Sequence, residues 1–251
     1  LVKKEAPKLL EQEFRKKNYI PKVIVFSGNT DCYQPLERKL KITRETLKIC
    51  LKYKNPVGVI TKNSLIQRDI DILKEMAQEN LVSVTLSITS LDPKLCRVME
   101  PRTASPIKRL ETIEMLAKNN IPSGVNIAPI IPGLNDEEIP SILKAAAERG
   151  ALHAGHVMLR LPFAVKDLFV DWVQKEFPDR SNKIINKIKE MCGGKLNSSE
   201  FGKRFSAEGE VVETIHKLFK LSCDKYGLNK IQRHITTENF MRASNSQLEL
   251  F

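Results

Sequence analysis

The sequence predicts an α/β protein: a partial (β/α) barrel of parallel strands, extended on its C-terminal side by helices. Two observations predict this. Residues 1–162 repeat one unit, which is a short apolar run, a polar loop and an amphipathic segment. The apolar runs are rich in Val and Ile and mostly do not alternate with polar residues, as expected of parallel strands covered on both faces. Five such runs are too few for a closed eight-fold barrel. They suit an open, partial barrel or a doubly wound sheet.

The elements follow in order. Strands are expected over residues 23–26, 57–60, 82–88, 125–131 and 156–161. After the second, Asn63 or Ser64 caps a helix that sets Ile66, Ile70, Leu73 and Ala77 on one face. After the third, Ser105 with Pro106 is a cap followed by proline at the first helical position. That helix carries Ile107, Leu110, Ile113 or Glu114, and Ala117 in register. Asp136 is expected to cap the next helix, with Glu137 and Glu138 near its positive end and Gly150 just past its finish. Alternation of this kind implies right-handed crossovers and a parallel sheet whose strand order follows the chain.

Beyond Leu161-Pro162 helices are expected over residues 166–177, 181–191 and 209–226, with Gly193-Gly194 and Gly227 as stops. From about Thr236 the chain turns polar and loses periodicity. Three parts result: the partial barrel (1–162), a helical extension packing on it (163–235) and a flexible tail (236–251).

Composition narrows the class. The chain is 41% hydrophobic and 28% charged, ordinary for a globular protein. No apolar run reaches bilayer length and no signal peptide is visible, so no membrane association is expected. Cys32, Cys50, Cys96, Cys192 and Cys223 are scattered, with no metal-ligand spacing, and no two His lie four apart. The chain thus holds no sequence-local metal site, and unpaired thiols point to a reducing cytoplasm. Net charge is +11, and residues 1–54 carry 14 Lys and Arg against 6 Asp and Glu. That basic sector, with Lys3, Lys4, Arg15, Lys16, Lys17 and Lys22, suits a polyanion such as nucleic acid. A solvated helix face is the alternative.

Ligands of parallel α/β folds sit at the C-terminal strand ends. The residues expected there are Ser27-Gly28-Asn29-Thr30-Asp31, Thr61-Lys62-Asn63, the run from Ser87 to Ser90, Asn126, the run from Pro129 to Pro132, and Arg160. They include no Ser–His–Asp set and no paired carboxylates. Chemistry here would come from a bound cofactor. The bland alternatives stay open: an ordinary strand-to-helix turn at 27–31, a solvated Lys62, and a half-buried thiol at Cys32.

Ser87-Ile88, Glu100-Pro101, Ser105-Pro106, Arg109-Leu110-Glu111, Pro122 and Ala128-Pro129-Ile130 together resemble the S-adenosylmethionine (SAM)-binding half of the spore photoproduct lyase family. The run from Thr30 to Glu37, with Thr61-Lys62, is similar to the wider DNA-repair-photolyase-like group of radical SAM proteins. Leu159-Arg160-Leu161-Pro162 and the stretch from Leu196 to Gly202 look like that group too. The group usually has Pro where this chain has Cys32, which argues against a family role for the thiol. The resemblance implies a partial radical-SAM-type barrel. It implies that Asn29, Thr30 and Asp31 face the SAM amino group. Ser87, Thr89 and Arg109 would face its ribose and carboxylate, Asn126 would border the adenine, and Arg160 joins the set. Tyr33, Lys62 and Arg204 are candidate substrate contacts. It also implies a [4Fe–4S] cluster held by Cys-x-x-x-Cys-x-x-Cys, a motif this chain does not contain. The chain starts at Leu1 and is expected to be a fragment that begins after that loop.

Gln247-Leu248-Glu249-Leu250-Phe251 resembles the peptide that docks bacterial DNA-processing proteins on the replication sliding clamp. Gln247 would hydrogen-bond, Leu248, Leu250 and Phe251 would supply apolar contact, and Ser244-Asn245-Ser246 would be the tether. The leading reading is a radical SAM iron–sulfur enzyme acting on nucleic acid as a photoproduct-lyase-like repair enzyme. The alternatives are a non-catalytic DNA- or clamp-associated module and a non-radical α/β-barrel enzyme.

Overall fold

The computed structural model describes residues 2–28, 30–196, 209–230 and 235–242. The elements run α1 (Ala6–Phe14), β1 (Ile24–Phe26), α2 (Glu37–Leu40), α3 (Ile42–Lys52), β2 (Val57–Thr61), α4 (Ile70–Gln78), β3 (Val82–Ser87), α5 (Pro93–Met99) and α6 (Pro106–Lys118). They continue with β4 (Ser123–Ile130), α7 (Ile139–Ala147), β5 (His153–Met158), α8 (Val165–Glu176), α9 (Ser181–Met191) and α10 (Glu210–Tyr226). The strands form one parallel sheet in chain order, β1-β2-β3-β4-β5.

The sheet begins with a short edge strand. Three residues of β1 pair with β2, Ile24 against Val57 and Phe26 against Val59, and Val25 in its middle is exposed. β5 starts three residues earlier than its apolar run suggested, at His153 rather than 156. Its pairing with β4 sets that start: Gly124 stands opposite His153, and a bulge between Ile127 and Ile130 re-registers the end. A Cβ on Gly124 would lie 2.3 Å from the His153 ring, so only glycine fits there.

Several helices end alike. α3, α4, α6, α7 and α10 are each followed by a left-handed residue, namely Lys54, Asn80, Asn120, Gly150 and Gly227. The next N–H then reaches back to the helix, as Leu81 does to Met76 O and Ile121 to Leu116 O. This Schellman-type closure satisfies orphan carbonyls, and after α3, α4, α6 and α7 it turns the chain directly into the following strand. The helix starts differ from expectation. Asn63 caps a short 3-10 turn (Ser64–Asp69) through its bond from Leu65 N, and α4 follows it. Asp136 does not cap α7; its carboxylate accepts from Gly133 N instead. Ile107, expected on the buried face of α6, is half exposed, while Leu110, Ile113 and Leu116 are buried.

The chain divides into two compact units. The first comprises residues 1–86, 112–123 and 232–251. Its core holds Leu47, Val57, Val59, Leu73, Met76, Val82 and Val84. The segment 236–242, expected as the start of a flexible tail, is anchored on this unit. Met241 N donates to Tyr53 O, Thr236 N to Asn80 O, and the Phe240 ring sits against Phe14, Tyr19 and Tyr53. The second unit comprises residues 87–111 and 124–231. There Ile131, Leu161, Val173, Ile184, Ile188, Met191 and Val212 form a continuous apolar cluster. No described helix is long and apolar enough to cross a membrane.

Candidate functional site

In the first unit the strand-end polar residues converge on Asp31. The chain leaves β1 through Ser27, which takes a positive φ of 85° and accepts the Cys32 N–H at its Oγ. Asp31 then accepts three hydrogen bonds. Tyr33 N (2.9 Å) and the Thr61 hydroxyl (2.7 Å) reach one oxygen, and Lys62 N (2.7 Å) reaches the other. Asn63 completes the tie by donating to Tyr33 O at 2.7 Å. The loop after β1 is therefore bound to the end of β2 by side chains, not by strand pairing. Asp31 and Lys62 are half-buried and Thr30 is exposed. Asn29 and Arg204 lie outside the described residues.

Tyr33 turns the other way. Its ring is fully buried and its hydroxyl donates to Asp69 at 3.0 Å. Burial, and then the adjacent Asp69 carboxylate, hold its phenol well above the ordinary value. Asp69 is itself paired with Arg44 and Arg68, and Glu37 accepts from Arg68 and from Thr43 N. Tyr33 is thus a core residue over a buried ion network, not a substrate contact. The network leaves no local trace in the sequence because some of its members lie more than thirty residues apart, as Arg68 and Glu37 do. Burial pushes the Cys32 thiol up to about 12, away from the thiolate form that makes a cysteine reactive.

In the second unit the polar residues close on one another. Arg109 is fully buried. Its Nε donates to Ala104 O (2.8 Å), its Nη1 to Ser87 O (2.8 Å), and its Nη2 to Glu100 (2.6 Å) and to the Thr103 hydroxyl. Glu100 accepts from the buried Thr89 hydroxyl at 2.6 Å with its other oxygen. Arg109 therefore braces the loop between α5 and α6 against the end of β3. This corrects the expectation that it meets a ligand carboxylate: every nitrogen of its fork is used inside the protein. Thr89 is enclosed in the same network. Ser87 is buried, Asn126 is half-buried, and Arg160 is exposed.

Two residues just before α7 hold this unit's strand ends. Asn135 donates to Thr89 O (2.7 Å) and Pro129 O (3.0 Å) and accepts from Ile131 N (2.7 Å). Glu138 accepts from the Ser90 hydroxyl and from Leu91 N. A buried amide such as Asn135 and a carboxylate such as Glu138, each bonded to two or more groups of the neighbouring loop, rigidify it.

Among the described residues no group of three His, Cys, Asp or Glu could hold a metal ion. The cysteines do not fit an iron–sulfur cluster either. They are scattered along the chain, and burial pushes Cys50 up to about 12 and Cys223 to about 11, away from the thiolate such a cluster needs.

A family model described as the radical SAM superfamily matches residues 2–146. An uncharacterized protein of Mycobacterium tuberculosis is 26% identical over 193 residues, 76% of this chain and 56% of that protein. An uncharacterized protein of Methanocaldococcus jannaschii is 33% identical over 138 residues, 55% of this chain and 50% of that protein. The chain thus spans about half the length of the curated relatives it matches. Among solved structures, a double mutant of spore photoproduct lyase with bound AdoMet and dinucleoside spore photoproduct matches with a TM-score of 0.65 at 12% identity. The match covers 92% of this chain and 66% of that one. The lyase complexed with dinucleoside spore photoproduct matches at 0.64 and 12% identity, covering 88% and 64%. At these identities the likeness is one of fold.

Proposed function

The chain belongs to the radical SAM superfamily, and from that premise we propose that it is the SAM-binding part of an enzyme that acts on nucleic acid as a photoproduct-lyase-like repair enzyme. Membership implies SAM and a [4Fe–4S] cluster as cofactors. Together they supply radical chemistry, and the protein supplies binding and orientation. The cysteines described above do not fit the cluster, so this chain's own contribution is to SAM and to substrate.

Asp31 carries the reading. A carboxylate offers about four acceptor positions, and Asp31 uses three on its own chain. One position remains on a half-buried, immobilised carboxylate at a strand end. That fits an ammonium group, such as the one on the methionine part of SAM. Thr30 beside it is exposed and adds a hydroxyl. Nucleic acid as substrate is supported by the fold shared with a lyase solved with dinucleoside spore photoproduct, and by the basic N-terminal sector.

Calorimetric titration of SAM into the full chain tests the cofactor reading. Asp31→Asn should weaken binding about ten- to hundred-fold, as expected for removing one charge-assisted hydrogen bond of roughly 1.5–3 kcal/mol. Unchanged affinity would remove Asp31 from the SAM site. Docking on a sliding clamp through Gln247, Leu248, Leu250 and Phe251 is a separate proposal on residues outside those described. Changing Leu250 and Phe251 to Ala should abolish capture of the synthetic tail by a bacterial clamp, read by fluorescence titration, and leave thermal stability unchanged.

A further inference from the structure

The first unit carries a second concentration of charge, at the C-terminal end of α1. Phe14, Arg15, Lys16, Lys17 and Arg242 line an open cavity of about 230 Å³ there. Four of the five are cations and none is an acid. One of them, Arg242, comes from the opposite end of the chain, 225 residues from Lys17.

Packing explains how the cavity is built. Phe14 is buried, with its ring 5.1 Å from Tyr19 and 5.4 Å from Tyr53. Phe240 joins that aromatic cluster at 5.7 Å from Phe14 and so brings the 235–242 segment alongside. Arg242 then donates from Nη1 to Lys17 O at 2.7 Å and from Nη2 to Tyr19 O at 3.1 Å. Carbonyls orient a guanidinium without cancelling its charge. Arg15 is held by the Tyr53 hydroxyl on Nε (3.1 Å) and by Glu11 on Nη2 (3.1 Å). Glu11 is shared with Lys52, and Lys16 pairs with Glu13. Lys17 and Arg242 have no acidic partner among the described residues.

The negative end of α1 accounts for part of this charge, but a helix terminus is worth only about half an elementary charge. Two uncompensated cations, Lys17 and the oriented Arg242, exceed that. We propose that this cavity is a phosphate-binding site, and that it holds one backbone phosphate of the nucleic acid on which the enzyme acts. Its volume lies below the roughly 300 Å³ at which sites for whole small molecules begin, so it accepts a single group. Fixed guanidinium forks with a Lys point charge match tetrahedral oxyanions. Only the source of the phosphate rests on the nucleic-acid reading; the site itself rests on the cavity.

The test uses the full chain, with Lys17→Glu and Arg242→Gln as variants. Inorganic pyrophosphate is titrated by calorimetry, and a fluorescent single-stranded DNA dodecamer by anisotropy at stepped salt. Either variant should lose at least about tenfold in affinity for both probes. The slope of log affinity against log salt should shrink by about 0.7 for each phosphate no longer held. Arg242 also anchors its segment, so Lys17→Glu, an exposed position, decides if Arg242→Gln lowers the melting temperature. Lys17→Glu binding both probes like the parent overturns the site, as does a parent that binds neither. DNA binding indifferent to Lys17→Glu while pyrophosphate binding falls keeps the phosphate site and overturns a nucleic-acid backbone as its source. Pyrophosphate binding that Lys17→Glu abolishes, without any DNA binding, keeps the phosphate site and overturns nucleic acid as its source.

Discussion

Asp31 in the first unit and Arg109 in the second are both charged side chains gripped by the loop at a strand end. They differ in what the grip leaves over. Asp31 is half-buried, and three donors occupy its two oxygens with one acceptor position to spare. Arg109 is fully buried, and its Nε, Nη1 and Nη2 all donate inside the protein, one of them to Glu100. The same polar chemistry therefore serves two ends. A buried charge whose every nitrogen donates inside the protein is a brace. A charge held still with capacity left is a binding group. Charge type and position in the loop do not separate these roles, whereas burial does: Arg109 is fully buried and Asp31 only half-buried.

The largest effect expected from this comparison is on stability. Arg109→Met would remove the buried guanidinium from its ion pair with Glu100. Breaking a buried pair on one side costs about 3–5 kcal/mol, or roughly 6–20 °C in melting temperature for a chain of this size. Differential scanning calorimetry reads it directly. A variant that melts like the parent but no longer binds SAM would return Arg109 to ligand contact and erase the distinction.

Asp31→Asn is the complementary change. Its main consequence should be the ten- to hundred-fold loss of SAM affinity described above, with a fall in melting temperature well short of that for Arg109→Met. A collapse of the fold with Asp31→Asn would make Asp31 a brace as well.

The smallest effect concerns Tyr33, the neighbour that the fold took inward. Tyr33→Phe removes its bond to Asp69, which keeps Arg44 and Arg68. The cost should be about 1 kcal/mol near neutral pH, with SAM affinity unchanged. The pH dependence has a definite sign. The folded phenol titrates well above the unfolded one, because burial and then Asp69 oppose its ionisation. Its contribution is fully present below the unfolded value of about 10 and is lost as pH rises beyond it, since only the unfolded state then releases the proton. Tyr33→Phe should therefore flatten the alkaline limb of a stability profile measured by denaturant melts. An alkaline limb identical in parent and variant would place the phenol in solvent.

Much of the scaffold is legible in the residues. The five apolar runs became five parallel strands in chain order, and Ser181–Met191 became a helix with its predicted bounds. Gly150 and Gly227 end helices because glycine enters the left-handed region without penalty. Lys54, Asn80 and Asn120 end helices in the same conformation, and the lysine gives no local sign of it. The apolar pattern misplaces the start of β5 because His153 and Ala154 are not an apolar run; their pairing to β4 makes them strand.

The sequence by itself determined the alternation of strand and helix, the order of strands and the absence of local metal spacing, because periodicity and turn chemistry act over a few residues. Only the tertiary structure decided which charges bind and which brace. Arg109 meets Ser87 O across 22 residues, Tyr33 meets Asp69 across 36, and Arg242 meets Lys17 O across 225. Whether a polar group is spent or available depends on partners that far away in the chain, and on burial contributed by the whole fold.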